Sequence, residues 1–184
     1  ALAKYDFALA AKTLAAAPDA TRRDPHYHYL VACAFADSDP QRFGSAVEDA
    51  LAINPHHAPS LLLKVERLID GERYDEARAL LAEIHQTNPH HPLAWAYVGV
   101  LAHLAADQEQ EATARENALA HWKTNPEVDH TLGCKLSDKY RFAEGAAYQR
   151  KALELVGDYL PAKTQLAQDL LRLGKEEQGW ALVH

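Results

Sequence analysis

The chain has 184 residues, 48% of them apolar and 24% charged, and 26 Asp+Glu against 19 Lys+Arg give it a formal charge of −7. Its 35 Ala and 25 Leu far outnumber its 11 Val and Ile together, which favours helix and excludes an all-β fold. No stretch nears the ~20 consecutive apolar residues that cross a bilayer, and no Lys/Arg cluster offers a surface for tracking phosphates, so neither membrane insertion nor nucleic acid binding is expected. Cys33 and Cys134 are too few for a disulfide framework, and composition leaves the compartment open. The absence of any Met, the initiator included, reads as a processed or excised piece of a longer protein.

In chain order, the first apolar pattern runs from Tyr5 to Leu14 and has the look of one helix that has lost its preceding partner. The remaining chain is periodic. Asn54-Pro55-His56-His57 recurs as Asn88-Pro89-His90-His91, 34 residues on, and Asn125-Pro126 follows 37 after that. Between these marks lie paired apolar-periodic stretches with a break near the middle, as in Leu61 to Ile69, Asp70-Gly71-Glu72-Arg73, then Tyr74 to Ile84. Each unit therefore reads as helix, turn, helix, because Pro ends one helix and opens the next at little cost. Gly71 and Gly174 stand where a helix C-terminus calls for positive φ. The expected division is a partial unit 1–24, repeats 25–57, 58–91, 92–125 and 126–157, and a truncated unit 158–184. On this frame the turn at Gly71 to Tyr74 is longer than the common spacing by one residue, and the unit from Pro92 gains residues before Asn125.

The motif parts resemble the tetratricopeptide repeat. Trp95, Val98, Gly99 and Ala102 match the first-helix signature, where a small residue lets two helices cross closely, and Val31-Ala32, Leu132-Gly133 and Leu166-Ala167 repeat it. Tyr74-Asp75-Glu76-Ala77 and Phe142-Ala143-Glu144-Gly145 resemble second-helix openings, and Tyr148 to Leu155 resembles a whole second helix. The resemblance covers about Pro25 to His184. It implies an all-α fold: an α-solenoid, a right-handed superhelix of stacked helix-turn-helix tetratricopeptide-like repeats forming a single array over 1–184. Both ends look cut, and an open terminal face calls for a capping element, a partner or a second copy.

Such an array offers a concave groove rather than a catalytic pocket, and the resemblance implies that first helices line it. The side chains expected there are Tyr29 and Cys33; Leu62 and Glu66; Leu93, Ala96, Val100 and His103; His130 and Cys134; and Thr164, Gln168 and Arg172, at helix-face spacings of three and four. Carboxylate-clamp recognition is disfavoured, because the first helices hold only Lys64, Arg67, Lys135, Lys163 and Arg172, scattered, and no Asn. The expected function is a protein–protein interaction scaffold that holds an apolar, neutral or basic partner segment in the groove. The alternative is a regulatory or substrate-recruiting repeat domain of a larger enzyme whose catalytic domain lies outside the chain. Self-association through the open repeat ends is a third reading.

Catalysis by the chain itself is not expected. No Gly-x-Ser-x-Gly elbow or phosphate-cradling loop is present, and His130 with Cys134, at i and i+4 on one helix, lacks oxyanion donors and a third orienting group. No metal or other cofactor is expected either. Equivalent histidines of successive repeats lie on the order of 10 Å apart, whereas ligands of one zinc lie ~2 Å from it. His26 with His28, and His130 with Cys134, are the residual candidates. The loop histidines would gain charge as pH falls through ~6.5.

Overall fold

The structure, a computed structural model, describes residues 1–2 and 6–182. The readings that fall on Tyr5, Val183 and His184 lie outside these residues. Among the described residues the structure is all helical: α1 (Phe7–Ala15), α2 (Pro25–Phe35), α3 (Pro40–Ile53), α4 (Ala58–Asp70), α5 (Tyr74–Thr87), α6 (Pro92–Leu104), α7 (Gln108–Leu119), α8 (Pro126–Asp138), α9 (Phe142–Leu155), α10 (Leu160–Arg172) and α11 (Glu176–Trp180). A 3-10 turn, Thr21–Arg23, precedes α2. No described helix is long and apolar enough to cross a membrane. The chain divides within α4 into two compact units, 1–67 and 68–184.

Chain periodicity is stricter than the Asn-Pro marks suggest. First helices α4, α6, α8 and α10 begin at 58, 92, 126 and 160, and second helices α3, α5, α7, α9 and α11 at 40, 74, 108, 142 and 176, so each series steps by 34. The apparent gain of residues before Asn125 is therefore a difference of position, not of length. Asn54 and Asn88 are the C-caps of α3 and α5, whereas Asn125 is the N-cap of α8, the place held by His91 before α6.

Local chemistry fixes these boundaries. Asp24, Asp39 and Asp107 accept from the backbone N–H groups of His26 (2.8 Å), Arg42 (3.0 Å) and Gln110 (2.9 Å), and Pro occupies the first turn of α2, α3, α6, α8 and α10. The turn from first to second helix recurs with one backbone shape. Glu72 (φ 59°), Ala106 (φ 58°), Tyr140 (φ 63°) and Gly174 (φ 72°), each 34 after the last, carry the left-handed residue. The expectation for Gly174 holds, while at the earlier turn the left-handed residue is Glu72 and not Gly71. The Gly71 turn also matches its successors in length; the longer one follows α2, at residues 36–39.

Tyr140 is a bulky side chain in a conformation that suits glycine, and it is 83% exposed. Tyr140→Gly is expected to stabilise the 68–184 unit by about 0.5–1 kcal/mol. Urea unfolding followed by tryptophan fluorescence checks this, since Trp95, Trp122 and Trp180 all belong to that unit.

In unit 1–67, α2 packs between α1 and α3, and Ala32, Phe43, Ala46 and Val47 form a buried cluster flanked by Val31, Ala36, Leu51 and Leu63. Tyr27 ties α2 to the end of α1 through its hydroxyl, which donates to the Leu14 carbonyl at 3.1 Å. In unit 68–184, α6 pairs with α7, α8 with α9, and α10 with α11, while each hairpin rests on the one before. The last of these contacts buries Ala146, Leu166 and Leu170 beside Leu153 and Leu182.

Helices α8 and α9 cross closely because both are glycine at the crossing. A Cβ on Gly133 would stand 2.9 Å from the Gly145 carbonyl oxygen, and one on Gly145 would stand 2.9 Å from the Gly133 carbonyl oxygen.

Candidate functional site

The 34-residue step gives the expected contact positions a common frame. Leu62 and Glu66, Ala96 and Val100, His130 and Cys134, and Thr164 and Gln168 are equivalent pairs on α4, α6, α8 and α10. Their surroundings differ. Leu62, Ala96 and Val100 are buried, so these three belong to the packing and offer no contact surface in the folded chain. Tyr29, Cys33, Glu66, Leu93, His103, His130 and Cys134 are half-buried, whereas Thr164, Gln168 and Arg172, on α10, are exposed.

In unit 1–67 the first helices bring an aromatic cluster together. The His26 and Tyr29 rings stack at 5.2 Å between centroids, and the His57 ring meets them edge-on at 5.9 and 6.1 Å. His57 Nδ1 lies 2.9 Å from the Ser60 hydroxyl, and burial with the nearby His26 holds the His57 imidazole below its ordinary range. Burial pushes the Cys33 thiol up, against a hydrogen bond with Tyr29, and the Glu66 carboxylate adds to the rise. This thiol stays protonated at neutral pH.

In unit 68–184 the organising residue is one that the sequence reading missed. Gln149 of α9, fully buried, accepts from His130 Nδ1 at 2.8 Å and donates its amide to the His130 carbonyl at 3.2 Å and to Cys134 Sγ at 3.6 Å. Burial pushes the Cys134 thiol up to about 12, with Asp138 adding to it, and burial lowers the His130 imidazole. A protonated thiol beside a neutral imidazole is the reverse of a nucleophile pair, which needs thiolate. Arg115 was missed in the same way: its guanidinium holds the buried Asp129 carboxylate through two bonds, of 2.6 and 2.7 Å. The signal that finds both residues is the period, since Arg115 and Gln149 occupy the position of the buried Val47 and Leu81.

His103 turns toward second helices. Its Nδ1 lies 2.9 Å from a Glu111 oxygen on α7 and its Nε2 2.7 Å from a Glu144 oxygen on α9. On α10, by contrast, Thr164, Gln168 and Arg172 continue a face begun by Leu160, at steps of four. Leu160 is 70% exposed, and beside it the edge of the Tyr159 ring packs on His130 at 5.6 Å. Leu160, Thr164, Gln168 and Arg172 are all exposed along α10.

Residues 34–101 match the family described as tetratricopeptide repeat. That segment is similar to tetratricopeptide repeats. No curated protein matches it. Among solved structures, a thermophilic tetratricopeptide-repeat protein of Thermus thermophilus superposes with a TM-score of 0.58 at 21% identity, covering 92% of each chain. PilF of Pseudomonas aeruginosa gives 0.61 at 17% identity over 98% of this chain and 82% of that one. PilW, named as a widely conserved type IV pilus biogenesis factor, gives 0.56 at 17% identity over 90% and 77%. These are likenesses of fold. The tetratricopeptide match spans α3 to α5 and most of α6, and the same 34-residue step continues beyond it through α11.

Proposed function

We propose that this chain is a protein-interaction scaffold whose contact surface in the 68–184 unit is the α10 face Leu160, Thr164, Gln168 and Arg172, continued onto α8 by His130 and Cys134. The observation that carries the reading is the exposure of Leu160 at the head of a polar helical stripe, since an apolar anchor inside a polar rim is the usual anatomy of a contact site. An apolar partner segment with neutral or basic flanks fits a chain of charge −7. The buried Leu62, Ala96 and Val100 then hold the helices in place and leave recognition to their neighbours.

The test immobilises the chain and identifies by mass spectrometry what it retains from its own cell lysate, beside a variant carrying Leu160→Lys and Gln168→Lys. Both positions are exposed, so the variant is expected to melt like the parent. Retention of a defined protein by the parent, weakened at least about tenfold in the variant, is the expected result. Equal retention by both chains, or none by either, would sink the assignment of this face.

A further inference from the structure

We propose that His103 is a proton-operated rivet between consecutive hairpins: protonated, its two ring N–H groups hold Glu111 of α7 and Glu144 of α9 at once, and loss of the proton frees one of the two. The inference is independent of which face binds a partner.

The argument is one of donor count. Both ring nitrogens lie at hydrogen-bond distance from carboxylate oxygens, 2.9 Å to Glu111 and 2.7 Å to Glu144. An ionised carboxylate only accepts, and a neutral imidazole has a single N–H, so the neutral ring can serve one carboxylate and must turn a lone pair toward the other. The side chains of His103 and Glu111 are 17% and 18% exposed, and that of Glu144 is 42% exposed.

Several charged neighbours are tied into one network around this ring. From α7 comes Glu111, whose second oxygen accepts from the Tyr148 hydroxyl of α9. From α9 come Glu144 and Tyr148; the Tyr148 ring meets the His103 ring edge-on at 6.1 Å, and Arg141 Nε lies 2.6 Å from the same Glu144 oxygen that faces His103. Lys151 Nζ sits 4.1 Å from the centroid of the Tyr148 ring. Helix α6 itself carries no Asp, Glu, Lys or Arg. Of the other elements packed on α6, α8 commits Asp129 to Arg115 and Lys135 to Asp70 and Asp138, and α5 places His85 on Trp95, eight residues or about 12 Å along α6 from His103.

The rivet has a mechanical consequence. Helices α7 and α9 flank a cleft of about 940 Å³ whose wall includes His103, Glu111, Arg115, Tyr148 and Lys151. The imidazolium joins both sides of this cleft to the end of α6, so its deprotonation loosens one side.

Whole-chain stability cannot report this alone, because other histidines act with the opposite sign. Burial lowers the folded values of His57, His85, His91 and His130. Their stabilisation is present above the unfolded histidine value of ~6.5 and is lost as pH falls through the folded values. The His103 bridge runs the other way, because only a ring with both nitrogens protonated donates to both carboxylates.

The experiment compares urea unfolding of the parent and His103→Gln from pH 5.5 to 8 by tryptophan fluorescence. At pH 5.5 the unfolding constant of the variant should exceed that of the parent by roughly tenfold, the size of a charge-assisted hydrogen bond, and the ratio should shrink to below about threefold at pH 8. A double-mutant cycle with Glu144→Gln should show coupling between positions 103 and 144 at pH 5.5 and none at pH 8. Ring ¹⁵N spectra of the folded parent should show both His103 nitrogens protonated at pH 5.5. A ratio that stays flat with pH, coupling that is unchanged at pH 8, or a ring with one bare nitrogen at pH 5.5 would each overturn the proposal. The spectra need no variant to fold.

Discussion

Arg115→Ala is expected to destabilise the 68–184 unit by about 3–5 kcal/mol, the cost of leaving a buried charge without its partner. The Asp129 side chain is 0% exposed and takes both of its guanidinium bonds from Arg115, whereas Arg115 is 32% exposed and reaches solvent from the far side. The asymmetry decides the size of the effect, because truncating the arginine strands the carboxylate in the packed layer between α7 and α8. Replacing both partners with apolar residues, Arg115→Met with Asp129→Leu, should recover most of the loss, since a buried pair is worth little against well-packed hydrophobic side chains. Urea unfolding of the parent, the single and the double variant checks this. A double variant no more stable than Arg115→Ala would contradict the account.

Gly133→Ala, and separately Gly145→Ala, should each cost about 2–4 kcal/mol, well beyond the ~1 kcal/mol that alanine ordinarily gains over glycine inside a helix. Part of the obstacle is backbone: each new Cβ would press to 2.9 Å on the carbonyl oxygen of the opposing glycine, and main chain cannot swing aside, while at Gly133 it would also collide with the buried Gln149 side-chain amide. At Gly145 the added Cβ would also collide with the Ser137 hydroxyl and come to 3.2 Å from an Asp169 oxygen. Gly99 is the contrast. Its nearest obstacle is the tip of Leu132 at 3.2 Å, a flexible side chain, so Gly99→Ala should be close to neutral while Gly99→Leu over-packs the same crossing by about 1–3 kcal/mol. Thermal melts of the variants side by side give the order. If Gly133→Ala melts with Gly99→Ala, the crossing between α8 and α9 is not as tight as described.

The helical class and the helix-turn-helix unit were legible because Ala and Leu dominate and Pro and Gly punctuate at fixed steps. The register was only partly so. Asn54, Asn88 and Asn125 each accept from the backbone N–H two residues on, at 3.0, 3.3 and 3.1 Å, whether they close a helix or open one. An Asn-Pro mark therefore carries the same local chemistry in both places, and the extra spacing before Asn125 was an alias of that ambiguity. Gly71 misled for a related reason: hydrogen bonds from Glu72 N–H to Ile69 O and from Arg73 N–H to Leu68 O set the left-handed position, and glycine one residue earlier does not move it.

Less of the candidate site could be read. Helical spacing placed Leu62, Ala96 and Val100 on one stripe, but spacing says nothing about which stretch of a stripe its neighbours cover. Arg115 and Gln149 escaped because a polar residue on an amphipathic helix reads as solvated until its repeat position is aligned with Val47 and Leu81. Once the 34-residue step is known, both stand out as polar groups in core positions, with partners one helix away.

That step also bears on which rearrangements of the chain could survive. Excising residues 92–125 would join His91 to Pro126 and restore every cap and turn, as though a bead had been slipped from a string. It would nonetheless set Leu81 where Arg115 had stood and leave the Asp129 carboxylate facing hydrocarbon. Duplicating the same segment keeps an Arg115 directly ahead of Asp129 and gives the additional arginine a route to water. Backbone geometry makes the beads interchangeable, while one buried charge makes their order directional: the string can be lengthened at this point but not shortened.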